Sequence, residues 1–518
     1  MPKLPPAETH RRTATSAGRG GGRRMLGGLL RGAVGMLGLS ALVLSGCGDG
    51  QDAQQTADAD ESPAALHAAD TGERAAASLD CADGQQPLSH AMDNGAEWSM
   101  CFAVDPEMGM VLHDVHFAAP GEEPVRLIRS MAVSQLEVPY DSGERLTSDI
   151  TRSGFGGTKM HTLTSQECAG ALISHPVPDI GDGTHGETRD REVLCSAGED
   201  SGPAYRLRER GEVYSDRGEQ WSLSTVSKVG WYEYISRYTF GSDGSIRPAL
   251  GATGDLSPVD FTDEAHGWPI GEGEADYAAS HSHNAVWRIR WGLGEDEPMQ
   301  VEQYDAEPTG EWGEESPVLD GGTTTIDEPT LARAEDRRWW RVMAPELTNA
   351  DDHPISYEIS LGATDSFTFV HDQQAAREES EDGDGDDGDN GHDHEHGDLG
   401  YDVAFTPHDD CEKFATQNRE GDCGSGVPEY VEDAAGEPLE DVVSWVAVGF
   451  HHVPRDEEQS PMEMHWQGFD LVPRDFTAQR PDAPEGRQDV NGVPTDSPYR
   501  EDIDLDEAES TGDAGEDS

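Results

Sequence analysis

Val229-Gly230-Trp231-Tyr232-Glu233-Tyr234 lies inside a run from Trp221 to Phe240 that is dense in aromatic and β-branched residues. Such side chains fit the pleated, half-buried surface of a strand. Ser242-Asp243-Gly244-Ser245 follows at once, and Asp-Gly supplies the positive φ of a tight turn. The run therefore predicts one long strand entering a hairpin. Further out, Met110-Val111-Leu112-His113-Asp114-Val115-His116-Phe117 alternates roughly with the period of two that a strand imposes. Ala285 to Leu293 and Ile355 to Leu361 read as further strands, and helical periodicity is scarce from Trp98 to about Phe476. The expected fold class is all-β, a large antiparallel β-sandwich.

The flanks of this region read differently. Arg11, Arg12, Arg19, Arg23, Arg24 and Arg31, with Glu8 the only acid, precede an apolar run from Gly32 to Ser45 that stops at Leu44-Ser45-Gly46-Cys47. A basic region, a short apolar stretch and a small-residue cleavage site define a secretory signal. The apolar run falls short of the roughly 20 residues of a membrane span. Cysteine directly after Leu-Ser-Gly resembles a lipobox, so residues 1–46 are expected to be a lipoprotein signal peptide and Cys47 the acylated residue. The expected location is outside the cytoplasm, lipid-anchored at the cell membrane and facing the outside or the periplasm. Arg23-Arg24-Met25-Leu26 also resembles a twin-arginine signal. Residues 47–80, rich in Ala, Asp, Gln and Thr, read as an acidic flexible tether, and 481–518 as an acidic disordered tail. Between them, 81–480 is the folded domain. It is interrupted at 378–398 by an acidic run holding His392, His394 and His396, which cannot bury apolar surface and reads as a disordered insertion. Its histidines suit either metal capture for a nearby site or a plain solvated loop.

The formal net charge is −68, and residues 1–46 hold seven bases and one acid, so the remainder carries about −74. Such a surface repels nucleic acid and anionic lipid. Lysine is limited to Lys3, Lys159, Lys228 and Lys413. An acid-rich, lysine-poor surface suits a halophile, where salt screens self-repulsion over a few ångströms; acidic tails supply part of the total. Seven cysteines leave six once Cys47 is set aside. Six allow 15 disulfide pairings, of which nearest neighbours give Cys81–Cys101, Cys168–Cys195 and Cys411–Cys423. No Cys-x-x-Cys spacing points to a metal instead.

Chemistry-bearing residues fall in four separated stretches. His281-Ser282-His283 puts two imidazoles on one face of a strand. His452 stands in Phe450-His451-His452-Val453-Pro454-Arg455, and Val138-Pro139-Tyr140 precedes Asp149 and Gly154-Phe155-Gly156. With the stretch around Tyr232, these resemble in order and flanking residues the catalytic domain of the copper amine oxidases. Asp105-Pro106, Gly109 to Val115, and Pro461 through Gly468-Phe469 extend the resemblance over most of residues 96–480. A copper ion that handles oxygen suits imidazole ligands with open positions.

The resemblance implies that His281, His283 and His452 bind Cu(2+), with His452 rather than His451 as the third ligand. It makes Tyr232 the precursor of the quinone cofactor topaquinone. Asp149 becomes the base that removes a substrate proton, its pKa raised by burial, and Tyr140 the hydroxyl that fixes a quinone oxygen. It also implies a Cys168–Cys195 disulfide, a homodimer, and the small domains before the catalytic domain replaced by the tether. The implied reaction takes a small primary amine with O2 and water to aldehyde, ammonia and hydrogen peroxide. Three departures from the family stand out. Trp231 stands for an Asn that helps orient the modified ring, and an indole lacks its amide hydrogen bonds. Lys228 replaces a Thr and brings a cation near the quinone. Arg290-Trp291-Gly292 replaces acids that bind a peripheral calcium ion, so none is expected there. Trp231 favours an alternative, a non-catalytic copper-binding or interaction lipoprotein on an amine-oxidase scaffold.

Overall fold

The computed structural model describes residues 79–180, 185–209, 211–272, 277–294, 297–313, 318–335, 337–365, 400–484, 489–490 and 493–494. The expected signal peptide, Cys47, almost all of the tether, the insertion with its three histidines and most of the acidic tail lie outside these residues.

Two large antiparallel sheets make up the domain. The first runs Gln86–Ala91, Glu97–Asp105, Gly109–Ala118, Val125–Pro139, His281–Trp291, Val442–His452, Val403–Pro407, Thr330–Ala332, with Leu146–Ser148 paired to Val125–Pro139. The second runs Leu319–Ile326, Gln300–Pro308, Trp339–Thr348, Pro354–Ser360, Asp470–Arg474, Ile246–Gly254, Tyr232–Gly241, Glu212–Val229, His185–Glu209, Ala171–Ile180, with Met462–Gly468 paired to Ile246–Gly254. The described helices are short, Asp149–Ser153 and Val427–Asp433 among them. The sandwich expected from the alternating sequence is present, and the strands beginning near Met110, Ala285 and Ile355 are among its members.

Aromatic side chains join the sheets. Trp98 of the first sheet is fully buried, its ring centroid 5.0 Å from that of Phe240 in the second. Its indole N–H donates across the gap to the Gly241 carbonyl at 2.9 Å. Trp287 meets Phe469 at 5.3 Å, and Trp291 meets Tyr357 at 6.2 Å. Aromatic pairs in such tilted arrangements add about 0.5–1.5 kcal/mol beyond the area they bury. All three nearest-neighbour disulfides are formed.

One expectation is corrected. Trp221 to Phe240 is not a single strand but parts of two, Glu212–Val229 and Tyr232–Gly241, with Val229 opposite Tyr232. Gly230 and Trp231 form the turn between them. Gly230 takes φ 63°, and glycine first in a two-residue turn matches the twist of the flanking strands. Inward-facing residues accordingly change phase, from Trp221, Leu223, Thr225 and Ser227 to Tyr232, Tyr234, Ser236 and Tyr238. The second hairpin lies where Asp243-Gly244 placed it, with Gly244 at φ 90°.

Replacing Trp98 by alanine is expected to cost about 3–5 kcal/mol, because both the cross-sheet packing and the bond to Gly241 disappear. Chemical denaturation followed by tryptophan fluorescence checks this as a lowered midpoint.

Candidate metal centre

Register brings the site together before any side chain acts. The strand His281–Trp291 runs between Val125–Pro139 and Val442–His452, with His281 opposite His452. On its other side His281 forms a bridge with Tyr140. Backbone pairing thus lines up Tyr140, His281 and His452 across the sheet, and the strand period adds His283 to the face of His281. All three imidazoles are buried, with ring centroids 5.0 Å (His281–His283), 4.9 Å (His281–His452) and 6.5 Å (His283–His452) apart. One ring nitrogen from each lies within 4.8 Å of the others. His451 faces the other way and pairs with Asp141 at 3.0 Å, so alternation singles out His452 as the inward member of the pair.

Hydrogen bonds assign the ring nitrogens. His281 Nδ1 lies 3.0 Å from the Ala279 carbonyl and carries the proton, leaving the Nε2 lone pair turned to the cluster. His452 Nε2 donates to Glu458 Oε2 at 3.0 Å, while its buried Nδ1 has no hydrogen-bond partner. His283 Nδ1 is buried without a partner as well. Burial first, and then the neighbouring imidazoles, push His281 down to about 3 and His283 well below the usual histidine range. His452 is lowered too, burial outweighing the pull of Glu458. Three neutral imidazoles with converging lone pairs are a fitting donor set for copper(II).

Tyr232 reaches the cluster from the facing sheet as the first residue after the Gly230-Trp231 turn. Its hydroxyl donates to His281 Nε2 at 2.7 Å, and its ring centroid lies 5.2 Å from that of His283. Burial holds the phenol well above its ordinary pKa. Tyr140 stacks on His281 at 4.7 Å and 24°. Burial first, and then the negative charge of Asp260, whose carboxylate pairs with Arg145, push the Tyr140 pKa upward.

Asp149 opens the short helix after Leu146–Ser148. Burial raises its carboxyl to about 6, against bonds from Thr147 and Tyr234 that favour the charged form. Tyr234 Oη lies 3.4 Å from Asp149 Oδ2, and its ring stacks beside that of Tyr232 at 5.8 Å and 16°. Tyr234 therefore connects the acid to the Tyr232 ring.

The departures from the family pattern sit outside this pocket. The Trp231 side chain is 37 % exposed at the hairpin tip. Lys228, expected to bring a cation near the ring, is instead paired with Glu233 at 2.7 Å. Glu233 is the outward neighbour of Tyr232 and also meets His161 at 2.9 Å. The correction follows from alternation, since residues 228 and 233 are cross-strand partners on the face opposite Tyr232. Arg290 makes two hydrogen bonds to Asp441, at 3.1 and 2.6 Å. Sequence reasoning gave no role to Tyr234, Asp260, Arg145, Glu458 or His465. Glu458 follows His452 by six residues and was open to a closer reading, whereas Asp260 carried no local signal.

The family model described as copper amine oxidase, enzyme domain, matches residues 94–488. The chain is 24 % identical over 421 residues to a primary amine oxidase of Arthrobacter sp. (strain P1), covering 74 % of this chain and 59 % of that one. It is 22 % identical over 413 residues to a histamine oxidase of Arthrobacter globiformis, covering 74 % and 56 %. Among solved structures, a copper-containing benzylamine oxidase from Hansenula polymorpha aligns with TM-score 0.60 at 19 % identity, over 76 % of this chain and 62 % of that one. An Aspergillus nidulans amine oxidase aligns with TM-score 0.58 at 18 % identity, over 74 % and 52 %. The chain thus spans a little over half the length of the curated relatives it matches.

Glu458→Gln keeps the side-chain shape but removes the charge that orients His452. Copper affinity, read by competition with a chelator, is expected to fall about 10–100-fold with the circular dichroism spectrum unchanged.

Proposed function

The chain belongs to the copper amine oxidase family, and from that membership we propose that it oxidises small primary amines with O2 and water to aldehyde, ammonia and hydrogen peroxide. Its cofactors on this reading are Cu(2+) held by His281, His283 and His452, and topaquinone derived from Tyr232. One observation carries the proposal: a buried tyrosine hydroxyl 2.7 Å from a ring nitrogen of a three-histidine cluster. When bound, copper would activate the Tyr232 ring for oxidation in place with O2 as the oxidant, and the resulting quinone would supply the two-electron oxidation of the amine.

The chain's own groups do the rest. Asp149 takes the proton from the amine's α-carbon, and a carboxylate near 6 is mostly ionised at neutral pH yet still a competent base. Tyr234 holds that carboxylate on the side of the Tyr232 ring. Tyr140, beside Asp260 and stacked on His281, keeps the ring oxygen in register with the metal ligands. The sandwich walls exclude water, which strengthens each of these interactions. An acidic surface attracts cationic amines, less so at high salt. Arg290 engaging Asp441 supports the expectation of no calcium on that strand. Homodimer formation, export and anchoring through lipid on Cys47 belong to the same proposal, the last supported by Leu44-Ser45-Gly46-Cys47. The second reading, copper binding without turnover, is favoured by Trp231.

Aerobic loading of metal-free protein with copper and trapping with phenylhydrazine is expected to give a coloured adduct on the peptide containing Tyr232, absent in Tyr232→Phe. Bound copper with unmodified Tyr232 gives the second reading instead. Asp149→Asn should lower kcat/KM by about 10²–10⁴-fold while phenylhydrazine still reacts. In the native chain the base works only when ionised, so kcat/KM should fall about tenfold per pH unit below about 6. A rate profile without that acidic limb argues against Asp149.

A further inference from the structure

Glu458 is only 1 % exposed and holds more than His452. Its Oε2 also accepts the Arg455 backbone N–H at 3.0 Å. Its Oε1 lies 2.7 Å from His465 Nε2, yet the imidazole is turned so that neither atom completes a hydrogen bond. His465 stands on Met462–Gly468, its ring centroid 4.6 Å from that of His452 and 5.1 Å from that of Phe450. Donor atoms of His452, Glu458 and His465 all lie within 4.8 Å of one another. A second carboxylate–imidazole cluster thus backs directly onto the first and shares His452 with it.

We infer that His452, Glu458 and His465 form a second metal site, for zinc(II) or a further copper(II), with the His452 ring bridging the two ions. Two imidazole nitrogens and one carboxylate oxygen, with water in the fourth position, are a donor set that zinc accepts in a tetrahedron. Ligand atoms at bonding distances of 2.0–2.1 Å stand roughly 3.3 Å apart in that geometry. His452 Nε2 lies 3.0 Å from Oε2 and His465 Nε2 lies 2.7 Å from Oε1, so the two imidazoles face different oxygens of one carboxylate, which can turn to present one of them to a shared ion. As the ion enters, His452 Nε2 releases its proton to solvent and bonds the metal, which leaves Nδ1, buried and without a hydrogen-bond partner, for the first site. His465 is 16 % exposed and gives the ion a path from solvent. The competing cation is Arg455, whose Nε lies 3.6 Å from Glu458 Oε1 and whose Nη2 already has Glu463 as a partner. The bridge, though not the second site itself, rests on the copper reading of the triad.

The test uses the full chain, stripped by chelation, reloaded with zinc or copper, desalted and counted by mass spectrometry, beside His465→Ala and His283→Ala. The native chain is expected to hold one equivalent more than His465→Ala, a difference that cancels metal bound by histidines elsewhere. Copper at both sites should give an electron paramagnetic resonance signal well below one spin per ion. Zinc in the second site should restore the single copper signal. Equal metal content and full spin count in native and His465→Ala overturn the proposal. Loss in His283→Ala but not in His465→Ala removes the second site and leaves the triad. Loss in His465→Ala but not in His283→Ala keeps the second site, but sinks the bridge together with the copper reading of the triad.

Discussion

The register of three neighbouring strands is the constraint on which the rest depends. Tyr140, His281 and His452 are aligned by backbone pairing, not by attraction between their side chains. A strand slipped by one residue turns every side chain to the opposite face. His451 and Ser282 would then enter the pocket, and the imidazoles would leave it. The register is held by the sandwich behind the site, where Trp287 and Trp291 continue the same strand into the core. Packing far from the chemistry thus fixes which ring nitrogens converge.

The same burial sets the charge state of the pocket. A chain with a formal charge of −68 keeps three neutral imidazoles and two high-pKa phenols at its centre. Desolvation works in one direction on all of them, disfavouring whichever form is charged. It lowers the histidines and so exposes lone pairs; it raises Asp149 and so makes a stronger base. The acidic surface and the neutral interior are separate problems, and the sandwich walls divide them.

Much of this was legible in the sequence, for reasons that are local. Two histidines at a spacing of two share a strand face wherever that strand goes, and Asp243-Gly244 turns whatever packs on it. The flanking residues distinguished His452 from His451, and alternation in the fold agrees. Contacts between distant segments were not legible. Asp260 lies near Tyr140 across 120 residues of chain, and Tyr234 reaches Asp149 across 85. The hairpin at Gly230 was partly legible, since the apolar phase changes between Leu223 and Tyr232. Aromatic density on both sides concealed that change.

That hairpin also decides what the unusual residues beside Tyr232 can do. A two-residue turn sends its own side chains outward, and cross-strand pairing sends Lys228 and Glu233 to the face opposite Tyr232. Trp231 keeps its carbonyl bonded to the Asp255 N–H at 3.0 Å, while its indole meets solvent. Neither residue is placed to steer the ring as an amide before it would. Orientation of Tyr232 therefore falls to groups from other strands: His281 at the hydroxyl, with Tyr234 and His283 along the ring. Those groups are fixed by sheet register, so the ring can be positioned by the sandwich even where the adjoining residue has changed.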